Sequence, residues 1–214
     1  RQGGLLEPAP ALVLEFCSHG SLDRALYAKR DTPLPPRRKL RWLHGIALGL
    51  QHLHTHNIVH RDLAARNVLV DADDQACITD FGLSRSLSAT ATSDSGMATS
   101  GRTQSLVGPV CWMSPEQLTQ RVYSPASDMW AFGCVMIEVL AREPPWYGVE
   151  HAIAVHNVLS GKTPTLRRAT CDGRFLPKTL ARLAKRCWHR KPLQRPPAAQ
   201  CARVLANALG ELPG

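Results

Sequence analysis

The sequence has no apolar run that approaches the roughly 18 residues a membrane helix needs, because charge or glycine interrupts every long apolar stretch. Its opening residues, RQGGLLEPAP, also lack the basic-then-apolar layout of a secretory leader. No C-x-x-C pair occurs among the seven cysteines, at 17, 77, 111, 134, 171, 187 and 201, which argues against a zinc site and against a disulfide framework. Reduced thiols in a soluble, intracellular (cytoplasmic) chain with no membrane segment are the expectation. The densest basic cluster, Arg37, Arg38, Lys39 and Arg41, has no interleaved aromatics, and the 26 basic residues are spread along the chain. A net charge of +9 therefore predicts a solvated basic face and no nucleic-acid partner.

What is present suits one large folded domain: 214 residues, 44% hydrophobic and 20% charged. Residues 11–16, Ala-Leu-Val-Leu-Glu-Phe, form a short apolar run that fits a buried strand, followed by a turn at 17–21. Ser21 is placed to cap a short helix carrying Leu22 and Leu26. Beyond a Pro-rich loop, Leu40, Leu43, Ile46, Ala47, Leu50 and Leu53 recur at three-and-four spacing, which predicts a one-sided helix ending near His54. Residues 68–70 and 76–79 read as two strands around the turn-forming Asp71-Ala72-Asp73-Asp74, a hairpin that brings residue 67 beside residue 80. From Ser84 to Ser105 the chain is Ser, Thr, Ala and Gly without periodicity, which predicts a mobile loop. Helices are expected again at 126–141, 151–159, 177–188 and 197–209.

The chemistry concentrates in His60-Arg61-Asp62-Leu63-Ala64-Ala65-Arg66-Asn67 and in Asp80-Phe81-Gly82. A hairpin that joins Asn67 to Asp80 brings an amide oxygen and a carboxylate within reach of one hard cation, with Asp62 close by as a base. These two segments resemble the H-R-D-L-x-x-x-N and D-F-G elements of eukaryotic protein kinases. Ser114-Pro115-Glu116 is similar to the A-P-E element, with Ser in place of Ala. Ser127-Asp128-Met129-Trp130-Ala131-Phe132-Gly133 is similar to the D-x-W-x-F-G helix start, and Cys187-Trp188 with Arg195-Pro196 to the closing elements of tyrosine-kinase-type domains.

The resemblance implies an α+β, protein kinase-like fold with a mostly helical C-lobe. Residues 1–17 then supply the end of the fourth strand, the fifth strand and the hinge, residues 18–214 the C-lobe, and 80–116 the activation segment. By the same resemblance Asp62 accepts a proton from the substrate hydroxyl, Arg66 and Asn67 complete the catalytic loop, and Asn67 and Asp80 hold Mg²⁺. ATP would meet Leu14 at the gatekeeper position, the backbone of Glu15 and Cys17, Leu69 as the floor, and Asp80. Ser21 is either a ribose contact or only the helix cap. Asp128 is expected to accept hydrogen bonds from the catalytic-loop backbone, and Arg195 to pair with Glu116.

The partner implied is a protein substrate, but its hydroxyl stays open. Ala64 and Arg66, with Pro109-Val110-Cys111-Trp112, resemble tyrosine kinases, yet the loop before residue 109 offers Thr99, Ser100 and Thr103 and no tyrosine. Arg61 is the natural partner of a phosphate there. No glycine-rich phosphate loop can be found, and the first lysine is Lys29, beyond the hinge. The isolated chain is accordingly expected to be inactive, with His60 and Phe81 facing an absent lobe. A kinase-like binding or regulatory module without phosphoryl transfer is the alternative.

Overall fold

A computed structural model describes residues 15–28, 32–80, 85–86, 109–165 and 178–212. Leu14, the rest of the 11–14 run, Phe81, Thr99, Ser100, Thr103 and Cys171 lie outside the described residues.

The longest helix follows directly from the spacing of its apolar residues. After α1 (Leu22–Tyr27), α2 runs from Pro36 to Thr55, with a proline in its first turn where no amide hydrogen is needed. Leu40, Leu43, Ile46, Ala47, Leu50 and Leu53 are all buried along one face of α2, joined by Trp42. Two short strands, β1 (Ile58–Val59) and β2 (Val68–Val70), flank a single turn of 3-10 helix at Ala65–Asn67. β3 (Ala76–Ile78) returns antiparallel to β2 with Leu69 opposite Cys77.

That hairpin is closed and seated by charge. The Asp71 carboxylate accepts the amides of Asp73 and Gln75 at 2.9 and 2.8 Å, an Asx turn that explains the acidic turn composition. Arg38 on α2 then grips Asp74 through Nε and Nη2, at 2.7 Å for the closest contact, and the Trp42 indole donates to the same carboxylate at 3.3 Å. Close approach of α2 to β3 is also eased by a glycine. A side chain at Gly45 would put its Cβ 3.2 Å from the Ala76 carbonyl oxygen.

β4 (Arg85–Ser86) pairs antiparallel with β1, Val59 opposite Arg85. The expected loop from 84 onward is therefore interrupted at its start, since β1 presents an edge whose backbone groups need partners. A helix not anticipated from sequence, α3 (Pro115–Gln120), follows a 3-10 turn at Pro109–Trp112. Its start is a capping box, in which the amide of Ser114 donates to Gln117 Oε1 at 2.9 Å.

α4 (Pro125–Ala141) is the centre of the molecule, with every residue from Ser127 to Ala141 buried. α5 (His151–Leu159), α6 (Lys178–Cys187) and α7 (Ala198–Gly210) complete the helical body, α7 against α2 and α6 against α4. These helices match the expected spans to within about a residue at each end. Among the described residues no helix is long and apolar enough to cross a membrane.

The α4–α6 crossing depends on Gly133. A Cβ there would stand 2.5 Å from Trp188 Nε1 and 3.0 Å from Cys187 Cβ, both in buried side chains. Gly133→Val is predicted to lower stability by roughly 1–3 kcal/mol through overpacking. An unfolding midpoint in urea unchanged from the parent chain would contradict this seating of the two helices.

Candidate active site

Asp62 lies in the segment between β1 and the 3-10 turn, and two neighbours hold its carboxylate. Arg66 Nη2 donates to Oδ1 at 2.6 Å, while Asn67 Nδ2 donates to Oδ2 at 2.9 Å and to the Asp62 carbonyl at 2.7 Å. The amide of Thr79 donates to the Asn67 carbonyl at 3.0 Å, so the residue next to Asp80 is tied to Asn67. Asp62, Arg66 and Asn67 are thus in direct contact, and Asp80 is brought to their edge by the hairpin.

The backbone here is strained. Arg61 has φ 75° and Asp80 φ 62°, a left-handed region that costs a non-glycine residue of order 1–3 kcal/mol. Asp128 on α4 holds the first of these turns. Its buried carboxylate accepts the amide of His60 on Oδ2 and that of Arg61 on Oδ1, both at 2.9 Å, and His54 Nε2 approaches Oδ2 at 2.9 Å. His60 does not face an uncovered surface, as the sequence suggested. It is fully buried, with Nε2 donating to the Thr79 carbonyl at 3.0 Å and Nδ1 accepting the Asp62 amide at 3.3 Å. The ring is a clamp between the Asp62 and Asp80 segments.

A second buried acid on α4 joins three more elements. Glu138 Oε2 accepts the Ala65 amide at 3.0 Å and the Trp112 indole at 2.8 Å, and Oε1 accepts the Tyr27 hydroxyl at 3.2 Å. Burial pushes its carboxyl up to about 7, against the opposing pull of those donors and of Arg66. Arg66 itself stands 5.1 Å over the Trp112 ring, linking the 65–67 turn to the segment before α3.

Arg195 reaches Glu116 through two parallel bonds of 2.6 and 2.8 Å, and also donates to the carbonyls of Ala126 and His189. Burial raises the Glu116 carboxyl, but the hydrogen bonds and charge of Arg195 outweigh it and leave the group below its ordinary value. This pair fastens α3 to the chain before α7.

At the other end of the hairpin, Ser21 sits in extended backbone before α1 and makes no side-chain cap bond. It forms a single antiparallel bridge with Leu69 instead. The amide of His19 donates to the Val70 carbonyl at 3.1 Å, and that of Val70 to the Gly20 carbonyl at 2.8 Å. Glu15 is exposed, Cys17 and Leu69 are half-buried, and Asp80 is exposed.

A family model described as protein tyrosine and serine/threonine kinase matches residues 3–205. The chain belongs to this protein kinase family. It is 35% identical to mitogen-activated protein kinase kinase kinase 13-A of Xenopus laevis over 207 residues, 97% of this chain and 20% of that protein. Mitogen-activated protein kinase kinase kinase 12 of Rattus norvegicus is 36% identical over 189 residues, 88% of the chain and 19% of the relative. The tyrosine-protein kinase receptor TYRO3 of Mus musculus is 35% identical over 211 residues, 96% of the chain and 22% of the relative. The chain therefore spans about a fifth of the length of the curated relatives it matches. These relatives place it among the tyrosine-kinase-like protein kinases, a family of ATP-dependent enzymes that generally use Mg²⁺.

Within the kinase site, sequence reasoning missed Glu138, Tyr27 and His54. Glu138 carried a signal: it is a lone charge in the otherwise apolar run Cys134–Ala141 of a helix buried on all sides. Such a charge persists only where donors meet it. Its raised carboxyl has a pH consequence whose sign is fixed. Folded Glu138 keeps its proton up to about pH 7, while in the unfolded chain it ionises near the ordinary 4.5. Stability from this group is complete below 4.5 and is lost as pH rises through 7. In urea unfolding across this range, the stability of the parent kinase relative to Glu138→Gln is predicted to fall with rising pH and then level off. Parallel curves would contradict the assignment.

Proposed function

We propose that this domain transfers the γ-phosphate of ATP to a hydroxyl of a protein substrate, Tyr or Ser/Thr, on the intracellular side of the membrane. The observation that carries the reading is the Asp62 carboxylate held between Arg66 and Asn67 at the end of a strained, pinned turn. Asp62 takes the proton of the attacking hydroxyl, and Arg66 and Asn67 fix the direction of its two oxygens. A divalent metal fits the residues that remain. The amide nitrogen of Asn67 is spent on Asp62, which leaves its oxygen as the donor for a hard cation, and Asp80 adds a carboxylate. Mg²⁺ held there would neutralise charge on the transferred phosphoryl group.

In the same reading the backbone of Glu15 and Cys17 meets the adenine edge, Leu14 stands at the gatekeeper position, Leu69 forms the floor and Ser21 contacts the ribose. The Ser21–Leu69 bridge, which seats the hinge on the hairpin, supports that arrangement. Arg66 over Trp112 supports a shelf beside the base on which the substrate hydroxyl is presented. An intracellular location is supported by the six cysteines that are free among the described residues.

The test is phosphoryl transfer from labelled ATP to mixed peptides by the longest natural form of the protein that carries this domain. Asp62→Asn is expected to lower kcat by roughly 10²–10⁴ with little change in ATP affinity. Equal rates in the two forms would overturn the assignment of Asp62, and a parent protein with ATP affinity but no transfer would make the domain a binding module.

A further inference from the structure

We infer that Cys17 and Cys77 form a paired-thiol modification site, which a peroxide converts into a disulfide joining the 17–20 turn to the β2–β3 hairpin. Neither residue has a part in the chemistry proposed above beyond the backbone of Cys17. The fold brings them together from positions 60 residues apart in the chain. On β3, Cys77 lies directly opposite Leu69, and cross-strand partners share one face of a ribbon. Leu69 is in turn bridged on its other edge by Ser21, so the 17–21 turn runs along the ribbon whose far strand carries Cys77. The turn itself folds back on the hairpin. The amide of Gly20 donates to the Cys17 carbonyl at 3.1 Å, while His19 and Gly20 bond the backbone of Val70. The Cys17 and Cys77 side chains are near enough for each to act on the other, and both residues are partly exposed.

A second thiol pair in the molecule sharpens the distinction. Cys187 and Cys201 also adjoin one another, but both are completely buried in the helical body. A peroxide in solvent reaches the first pair and not the second. Burial, followed by the charge of Cys17, pushes the Cys77 thiol up to about 11, so Cys77 keeps its hydrogen in the resting pair. Cys17 is the sulfur that makes the first attack on the oxidant.

The chemistry balances with hydrogen peroxide as the only co-reactant. The Cys17 sulfur gives up its proton and attacks one peroxide oxygen, and the O–O bond breaks. Cys17 becomes a sulfenic acid, and the departing hydroxide takes a proton to form water. The Cys77 sulfur then displaces hydroxide from the Cys17 sulfur, forming the S–S bond, and the Cys77 proton leaves with that hydroxide as a second water. Two thiols are oxidised by two electrons in all, and the peroxide is reduced by two. The resulting bridge fastens the proposed hinge against the floor residue Leu69. That consequence for nucleotide access rests on the reading given under Proposed function, whereas the cross-link does not.

The experiment exposes the folded 214-residue chain to hydrogen peroxide, blocks free thiols by alkylation, and maps the peptides by mass spectrometry. The expected result is a Cys17–Cys77 linked peptide, with a loss of two hydrogens, that disappears on reduction with dithiothreitol. Cys187 and Cys201 should remain alkylated only after unfolding. Cys17→Ser and Cys77→Ser should each abolish the linked peptide. The proposal is overturned if Cys17 stops at the sulfenic or sulfinic acid while Cys77 stays free, if either cysteine links elsewhere, or if Cys187–Cys201 oxidises first.

Discussion

The arrangement of this site rests on one buried carboxylate. Asp128, at the start of the central helix, accepts two consecutive backbone amides, those of His60 and Arg61, one on each oxygen. Hydrogen bonds to a charged group contribute about 1.5–3 kcal/mol each, enough to outweigh the cost of order 1–3 kcal/mol of left-handed backbone at Arg61. The strained turn is stable only because the acceptor is rigid and already desolvated inside α4. From that turn Asp62 emerges, and from the other side of it the buried His60 ring fastens Thr79, next to Asp80.

α4 therefore works as a frame, and its polar residues matter as much as its apolar ones. Ten residues after Asp128, Glu138 gathers Ala65, Trp112 and Tyr27, so the segment around Asp62 is held by two acids from one helix. The two differ in chemical surroundings. Asp128 has His54 beside it, while Glu138 takes its hydrogen bonds from neutral donors with Arg66 farther off, and burial raises its carboxyl. Arg195 adds a third attachment at the helix start, donating to the Ala126 carbonyl while it pairs with Glu116. A single buried element thus fixes the Asp62 turn, the 109–112 segment and the start of α3 relative to one another.

How legible this was from sequence depends on the range of the interaction. α2 was readable because three-and-four spacing records one buried face, and the hairpin because Asp71–Asp74 has turn composition between β-rich triplets. The ends of α5, α6 and α7 fell close to expectation for the same local reasons. β4 was missed, since two residues in a Ser/Thr-rich stretch carry no alternation and are ordered only by β1. α3 was missed as well, although Ser114 and Gln117 have the spacing of a capping box. Ser21 looked like a cap, but a strand neighbour holds it. His60 was expected at an uncovered face because its partners, Thr79 and the Asp62 amide, become neighbours only once the hairpin closes. Asp62, Asn67 and Asp80 were singled out through family resemblance; Asp62 and Asn67 are in contact, and the hairpin ties Thr79, the neighbour of Asp80, to Asn67. Leu14 and Phe81 lie outside the described residues.

The central claim is that the Asp128 carboxylate holds the turn that presents Asp62. Amide hydrogen exchange in the parent chain and in Asp128→Asn tests it most directly. An asparagine offers one acceptor oxygen where the carboxylate offers two, and its NH₂ cannot accept an amide hydrogen. The account predicts loss of protection at one or both of the amides of His60 and Arg61, with protection in α6 and α7 retained. Unchanged protection at both amides would show that the turn is held by something else.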